Sequence, residues 1–397
     1  MSTITEYVET NLASFDEKPF NAVDSLVLSQ FCGVRLEAIG AEPEPLSRPK
    51  HVSQGILSRF SANTKQRRAL TFERALRAEL FPEMFGGFVT AEPGELRRLI
   101  CALAASPRFR DLSIVNYRTV LDEADATQFA AISFVYKEEF AYIGFRGTDA
   151  AITGWREDFD MGYKFPVPSQ VLALDYVSTT ADELPCKLII GGHSKGGNLA
   201  TFAAIRSDPS IRNRIEKVYN HDGPGFKPGT MSNHDAVKMN ILVDKTVPQD
   251  SIVGMLLEDP SRTRIVRSCA KGIKQHSAFT WEVNEAGTDF QLADGLSAKS
   301  LAFRDAFTTW LDSYDDTYLR TFVCSLFELV ETNGIEDVRK LLGEGINPIL
   351  RIFEMALRAP AEPRSVLFDG TSRYAKLLME RITEPSNGKE SNNGQDN

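Results

Sequence analysis

The sequence predicts an α/β fold: a mostly parallel central sheet flanked by helices, with a helical region before it and a helical extension after it. Three observations carry this expectation. A short β-type run, Cys186-Lys187-Leu188-Ile189-Ile190-Gly191, enters a tight turn written Gly192-His193-Ser194-Lys195-Gly196. A small-residue helical run leaves that turn through Gly197, Ala200, Ala203 and Ala204, a face that can pack close to a sheet. Further strand-like runs precede and follow this unit, with helical spacing between the later ones.

Taken in order, residues 1–40 read as docking helices, with apolar side chains at helical spacing across Asp24–Phe31. Pro43, Pro45 and Pro49 mark a loop over residues 41–52. From Gly55 to Leu80 the chain reads as helical and basic, with Arg59, Lys65, Arg67, Arg68, Arg74 and Arg77. A solvated face is the ordinary use of such charges, and an anion or membrane-headgroup site the functional one. Phe81–Phe88 carries aromatics broken by two glycines, for core packing or as a cover over an apolar pocket. Strands are expected from about Ser113, at Asn116–Leu121, Phe129–Tyr136 and Phe140–Phe145, the last two joined by the polar turn Lys137-Glu138-Glu139.

After the loop at Phe165–Pro168, a helix with Val171, Leu174, Asp175 and Val177 should cross the sheet and deliver the chain to the turn at Ser194. Lys217–Asn220 reads as the next strand, followed by the turn Asp222-Gly223-Pro224-Gly225 and a strand at Val237–Val243. Residues 285–330 return to helix, ended by Gly334. Shorter helices are expected at Val338–Leu342, Pro348–Leu357 and Tyr374–Ile382, split by Pro360 and Pro363. The Asn-, Gly- and Glu-rich tail Glu384–Asn397 should be disordered. The implied organisation is a helical N-terminal or cap region (1–110), an α/β core (111–285), a helical extension (286–383) and a tail (384–397).

A formal net charge of −9 argues against a general nucleic-acid binder. Five cysteines without C-x-x-C spacing fit reduced thiols better than a disulfide framework or a zinc site, and with them a cytoplasmic setting. The polar N-terminus is unlike a secretory signal, and no apolar run reaches membrane-spanning length.

The turn at Ser194 is G-x-S-x-G between a strand and a helix, the setting of a nucleophilic serine. The serine must stand on a strained turn with its hydroxyl exposed, and the helix start behind it favours developing negative charge. The unexceptional reading is a glycine-rich turn of any α/β protein. Phe145-Arg146-Gly147-Thr148, then Trp155-x-x-Asp158, then Gly-His-Ser-x-Gly, resembles the fungal-type triacylglycerol lipase branch of the α/β-hydrolases. The wider chain is similar to the Mbeg-like bacterial hydrolase family through Phe20-Asn21-x-x-Asp24, Asp222–Phe226, Ser251–Leu257 and His276. The resemblance runs from about residue 20 to 330. It implies an α/β-hydrolase fold and an oxyanion hole made by the backbone N–H groups of Thr148 and Lys195. Arg146 reads as ordering its loop by pairing with a carboxylate such as Asp158, with contact to substrate as the alternative.

In such a fold the catalytic groups follow the order serine, carboxylate, histidine. Of the five histidines, His51 and His193 precede the serine, and His221 and His234 come early; His276, in a loop, is the candidate base. His193 reads as the variable residue of the turn. For the acid, Asp250 after Val247-Pro248 is preferred, with Asp222 and Asp244 as alternatives. The expected activity is hydrolysis of a small-molecule or lipid carboxylic ester through an acyl-enzyme on Ser194, with no metal or organic cofactor. The alternatives are a non-catalytic binding protein of the same fold and a peripheral membrane protein using the Arg59–Arg77 face.

Overall fold

The structure is a computed structural model and describes residues 2–40, 70–87, 92–342 and 360–383. His51, Phe88, the proline loop, most of the basic stretch, the helix expected at 348–357 and the tail lie outside these residues. The described residues form a seven-stranded sheet in sequential order. Its strands are β1 (Ser113–Asp122), β2 (Thr127–Tyr136), β3 (Phe140–Phe145), β4 (Lys187–His193), β5 (Ile215–His221), β6 (Val243–Pro248) and β7 (Thr263–Val266). The first two pairings, β1 with β2 and β2 with β3, are antiparallel, and every later one is parallel. The expected mostly parallel sheet flanked by helices is the one observed.

Along β2 and β3 side chains alternate between two buried faces, which is why these strands read as nearly unbroken apolar runs. On β2, Ile132, Phe134 and Tyr136 enter one core, whereas Phe129 and Ala131 enter the other. The first core is closed by the N-terminal helices α1 (Ile4–Thr10), α2 (Ala22–Phe31) and α3 (Pro93–Ala105). These helices therefore form a full layer of the fold. Met84 and Phe85 are buried in the same core, with Phe81 packed against it, while Gly87 of the same stretch lines the cavity described below. Arg74 and Arg77 are exposed.

The crossovers between the parallel strands run through α4 (Ile152–Asp160), α5 (Pro168–Glu183), α6 (Lys195–Arg206) and α7 (Asn233–Leu242). α5, α6 and Met239 of α7 share the second core. A third cluster joins Ile152 of α4 to the C-terminal helices α8 (Ala298–Leu311), α9 (Asp316–Thr332) and α10 (Ala361–Thr383). Among the described residues no helix is long and apolar enough to cross a membrane.

Two expectations need correction. Val237–Leu242 belongs to a helix, and the strand starts at Val243. Ser232 caps that helix by accepting from the Asp235 N–H at 3.1 Å while Asp235 reaches back to the Ser232 N–H. This capping box outweighs the alternating apolar pattern, whose Val237 and Ile241 point into solvent. Pro363 does not split the last helix, because it lies in the first turn, where no backbone donor is needed.

Candidate active site

The site is built where β3, β4 and β5 end. Between β4 and α6 the chain turns at Ser194 with φ 59° and ψ −134°, a conformation that costs a non-glycine residue on the order of 1–3 kcal/mol. The turn needs its glycines because backbones touch. A Cβ at Gly192 would lie 2.3 Å from the Gly196 carbonyl carbon, and one at Gly196 would lie 2.2 Å from the Phe145 carbonyl oxygen. The second contact presses the loop after β3 against the first turn of α6. It brings Thr148 beside Ser194 on the wall of one cavity of about 60 Å³, which His276 also lines.

Ser194 itself is half-buried, and its N–H donates to the His221 carbonyl at 2.9 Å. Among the described residues, the N–H groups of Thr148 and Lys195 have no acceptor. The Thr148 hydroxyl donates to Asp158 at 2.7 Å. Beneath it the Lys195 ammonium, 1% exposed, meets Glu157 at 2.9 Å and Asp158 at 3.6 Å. Burial opposes the lysine's charge, but the two carboxylates raise its pKa and keep it protonated. Burial pushes the Asp158 carboxyl up to about 6 against the pull of Lys195 and Thr148. This cluster anchors α4 to the start of α6. It also corrects the pairing expected for Arg146: Asp158 is taken by Thr148 and Lys195, and among the described residues the nearest carboxylate to Arg146 is Asp149, at 3.8 Å.

His276 ends a short 3₁₀ turn, Gly272–His276, and its Nδ1 lies 2.7 Å from Asp222 Oδ2. Asp222 is fully buried at the end of β5. Its other oxygen accepts from the Ser251 hydroxyl and from the Gly254 N–H at 3.1 Å. Burial raises the carboxyl pKa, yet the His276 and Ser251 contacts outweigh it and hold Asp222 below the usual range. An ionised carboxylate only accepts, so Nδ1 of His276 carries the proton and Nε2 is left as the basic nitrogen.

Asp250, the preferred acid, does not touch the imidazole. It accepts from the Gly272 N–H at 2.8 Å, and its own N–H donates to Gln275 at 2.7 Å. Asp250 thus pins the loop that carries His276. Asp244 lies within β6 and is held by Arg264 at 2.8 and 2.9 Å. The carboxylate beside His276 is Asp222, an alternative at the level of sequence. Among the described residues, no group of three or more His, Cys, Asp or Glu side chains converges as a metal site.

A family model described as Mbeg1-like matches residues 103–328, more than half of the chain. The chain belongs to the Mbeg1-like family. No curated protein matches it. Among solved structures, a fungal lipase–inhibitor complex is similar at 20% identity over 39% of this chain and 62% of its own, with a TM-score of 0.31. The native Rhizomucor miehei lipase–propeptide complex is 19% identical over 40% of this chain and 57% of its own, with a TM-score of 0.30. A further fungal lipase structure is 16% identical over 56% of this chain and 81% of its own, with a TM-score of 0.33. The chain spans about three-fifths of the length of the first two.

In this Mbeg1-like protein His193 does more than fill the turn. Its Nε2 donates to the His276 carbonyl at 2.8 Å, and the two rings lie 4.7 Å apart. With the Trp281 indole donating to the Gln275 carbonyl at 2.8 Å, it fixes the His276 loop from beneath. Sequence order hid this role, because it asks only whether a histidine can be the base. His221 is buried between Thr246 at 2.8 Å and Ser25 at 3.0 Å.

Burial and the neighbouring His276 lower the His193 pKa from 6.5 to about 3, and burial holds His221 well below its ordinary value. Both rings stay neutral in the folded state while the unfolded chain takes up protons. Their stability contribution is full above about pH 6.5 and falls as pH drops toward 3. From pH 7 to 5 each buried ring should cost about 2 kcal/mol of unfolding free energy. Urea unfolding at both pH values should show a loss smaller by about that amount in His221→Asn. An unchanged loss in the variant would contradict a neutral, buried His221.

Proposed function

We propose that this Mbeg1-like protein hydrolyses a carboxylic ester, of small-molecule or lipid origin, through an acyl-enzyme on Ser194. The observation that carries the reading is the 2.7 Å hydrogen bond between His276 and the buried Asp222, with His276 and Ser194 both lining one cavity. His276 Nε2 takes the Ser194 proton as Oγ attacks the acyl carbon. The oxyanion that forms is held by the Thr148 and Lys195 N–H groups, which have no acceptor among the described residues. As the C–O bond breaks, His276 returns the proton to the leaving alcohol. Water then adds to the acyl carbon with His276 again as base, releasing the acid and restoring the serine hydroxyl. Asp222 keeps the imidazole in the required tautomer and stabilises the imidazolium. No step calls for a metal or organic cofactor.

A fluorophosphonate probe followed by peptide mass spectrometry tests this. Wild type should be labelled on Ser194, Ser194→Ala should not, and His276→Ala should label at least about 100-fold more slowly, the usual worth of a general base. A folded wild-type protein that takes no label and cleaves no ester would instead be a non-catalytic binding protein of this fold.

A further inference from the structure

Arg146 stands out among the side chains around the cavity. It is about nine-tenths buried, lines the same cavity as Ser194 and His276, and its guanidinium makes no hydrogen bond to any described residue. The nearest carboxylate oxygen, Asp149 Oδ2, is 3.8 Å away, beyond hydrogen-bonding distance. That oxygen also faces Arg35 at 3.3 Å, while Asp149 Oδ1 accepts from Gln128 and from the Ala151 N–H at 2.8 Å. One carboxylate is therefore shared by two guanidiniums and is largely spent on its own loop. Asp158, the partner expected for Arg146, is taken by Thr148 and Lys195.

A guanidinium has five donors and stays charged; the Arg146 nitrogens are not among the buried atoms without a partner, so they are open to the cavity, where water or a ligand supplies their acceptors. Resting on the hydrolase reading, we propose that Arg146 is an anion subsite and that the ester substrate carries a carboxylate or phosphate close to its scissile carbonyl. Arg146, Thr148 and Ser194 line one small cavity, so an anion bound at Arg146 shares that space with the reacting carbonyl. The planar fork of arginine matches both anions with paired hydrogen bonds. Ser29 and Gln30 line the same cavity, and so does Asp149, whose carboxylate an incoming anion must displace from Arg146. The cavity of about 60 Å³ is far below the several hundred Å³ that enclose a whole ligand. It fits the anionic end of a substrate, not a long acyl chain.

The test uses two matched ester pairs with the full-length protein. 4-Nitrophenyl hemisuccinate against 4-nitrophenyl butyrate places a carboxylate on the acyl side. Acetyl glycerol phosphate against acetyl glycerol places a phosphate on the alcohol side. Wild type should favour at least one anionic member by about 10- to 100-fold in kcat/KM, and the favoured pair identifies the source of the anion. Arg146→Gln should bring that ratio close to one, and Arg146→Lys should keep part of it, since it keeps the charge and loses the fork. If Arg146→Gln does not fold, the wild-type ratio, its decline with added salt and the Arg146→Lys ratio decide. Ratios near one in a wild-type protein that labels on Ser194 and cleaves the neutral esters would overturn the subsite and leave the hydrolase standing. A strong ratio unchanged in both variants would also overturn it, by moving the anion elsewhere. No labelling and no cleavage would remove both readings.

Discussion

Asp222→Asn should lower kcat/KM for ester hydrolysis by about 10,000-fold, the scale seen when the acid of a serine triad becomes an amide. The substitution keeps the size of the side chain, so the loss comes from proton placement. Asp222 accepts from His276 Nδ1, and an amide can turn its NH₂ toward that nitrogen instead. The ring then carries its proton on Nε2 and cannot take one from Ser194. Asp250→Asn should cost no more than about fivefold, because Asp250 holds the loop through the Gly272 N–H and a hydrogen bond of this kind contributes about 1 kcal/mol. Steady-state kinetics on both variants, with circular dichroism to confirm folding, decides between them. If Asp250→Asn proved the more damaging, the assignment of Asp222 as the orienting acid would be wrong.

The largest effect on stability is expected at Asp24→Asn, with a loss of about 3–5 kcal/mol in urea unfolding. Asp24 and Arg108 are both fully buried and meet through two hydrogen bonds, at 2.8 and 2.6 Å. The guanidinium also donates to the carbonyls of Ala13, Lys18 and Pro19 at 2.9–3.0 Å and lies 4.3 Å above the Phe15 ring. Tyr7 donates to Asp24 at 2.8 Å. Removing the negative charge leaves the arginine buried without its counter-ion and loosens the loop that leads into α2. The double variant Asp24→Leu with Arg108→Met should recover part of the loss, because it removes both charges from the interior. A single-variant loss below about 1 kcal/mol would show that the arginine finds water or another acceptor.

Several elements were legible from local pattern. β3 has the bounds expected for it, and the strand, turn and helix around Ser194 follow from glycines and small residues within a few positions of one another. The helix at Asn233–Leu242 is not legible from apolar spacing, because a strand and a helix share short apolar spacings; its signal is the Ser232–Asp235 cap. His276 followed from chain order once the serine was placed. The acid did not follow, because Asp222, Asp244 and Asp250 all lie at or near the end of an apolar run and differ only in what they face.

Sheet register supplies the difference. His193 on β4 pairs with His221 on β5, so Ser194 and Asp222 leave adjacent strands at the same level. His221 in turn pairs with Thr246 on β6, which leaves Asp250 further along the chain, against the loop and not the ring. The amino-acid order by itself determined the fold class, the serine turn and the candidate base, because each depends on periodicity or on contacts between near neighbours. Only the tertiary structure decided which carboxylate meets His276, that His193 supports it and that Arg146 is left without a hydrogen-bonding partner among the described residues. Those outcomes depend on distances between segments far apart in the chain, set by strand pairing and layer packing.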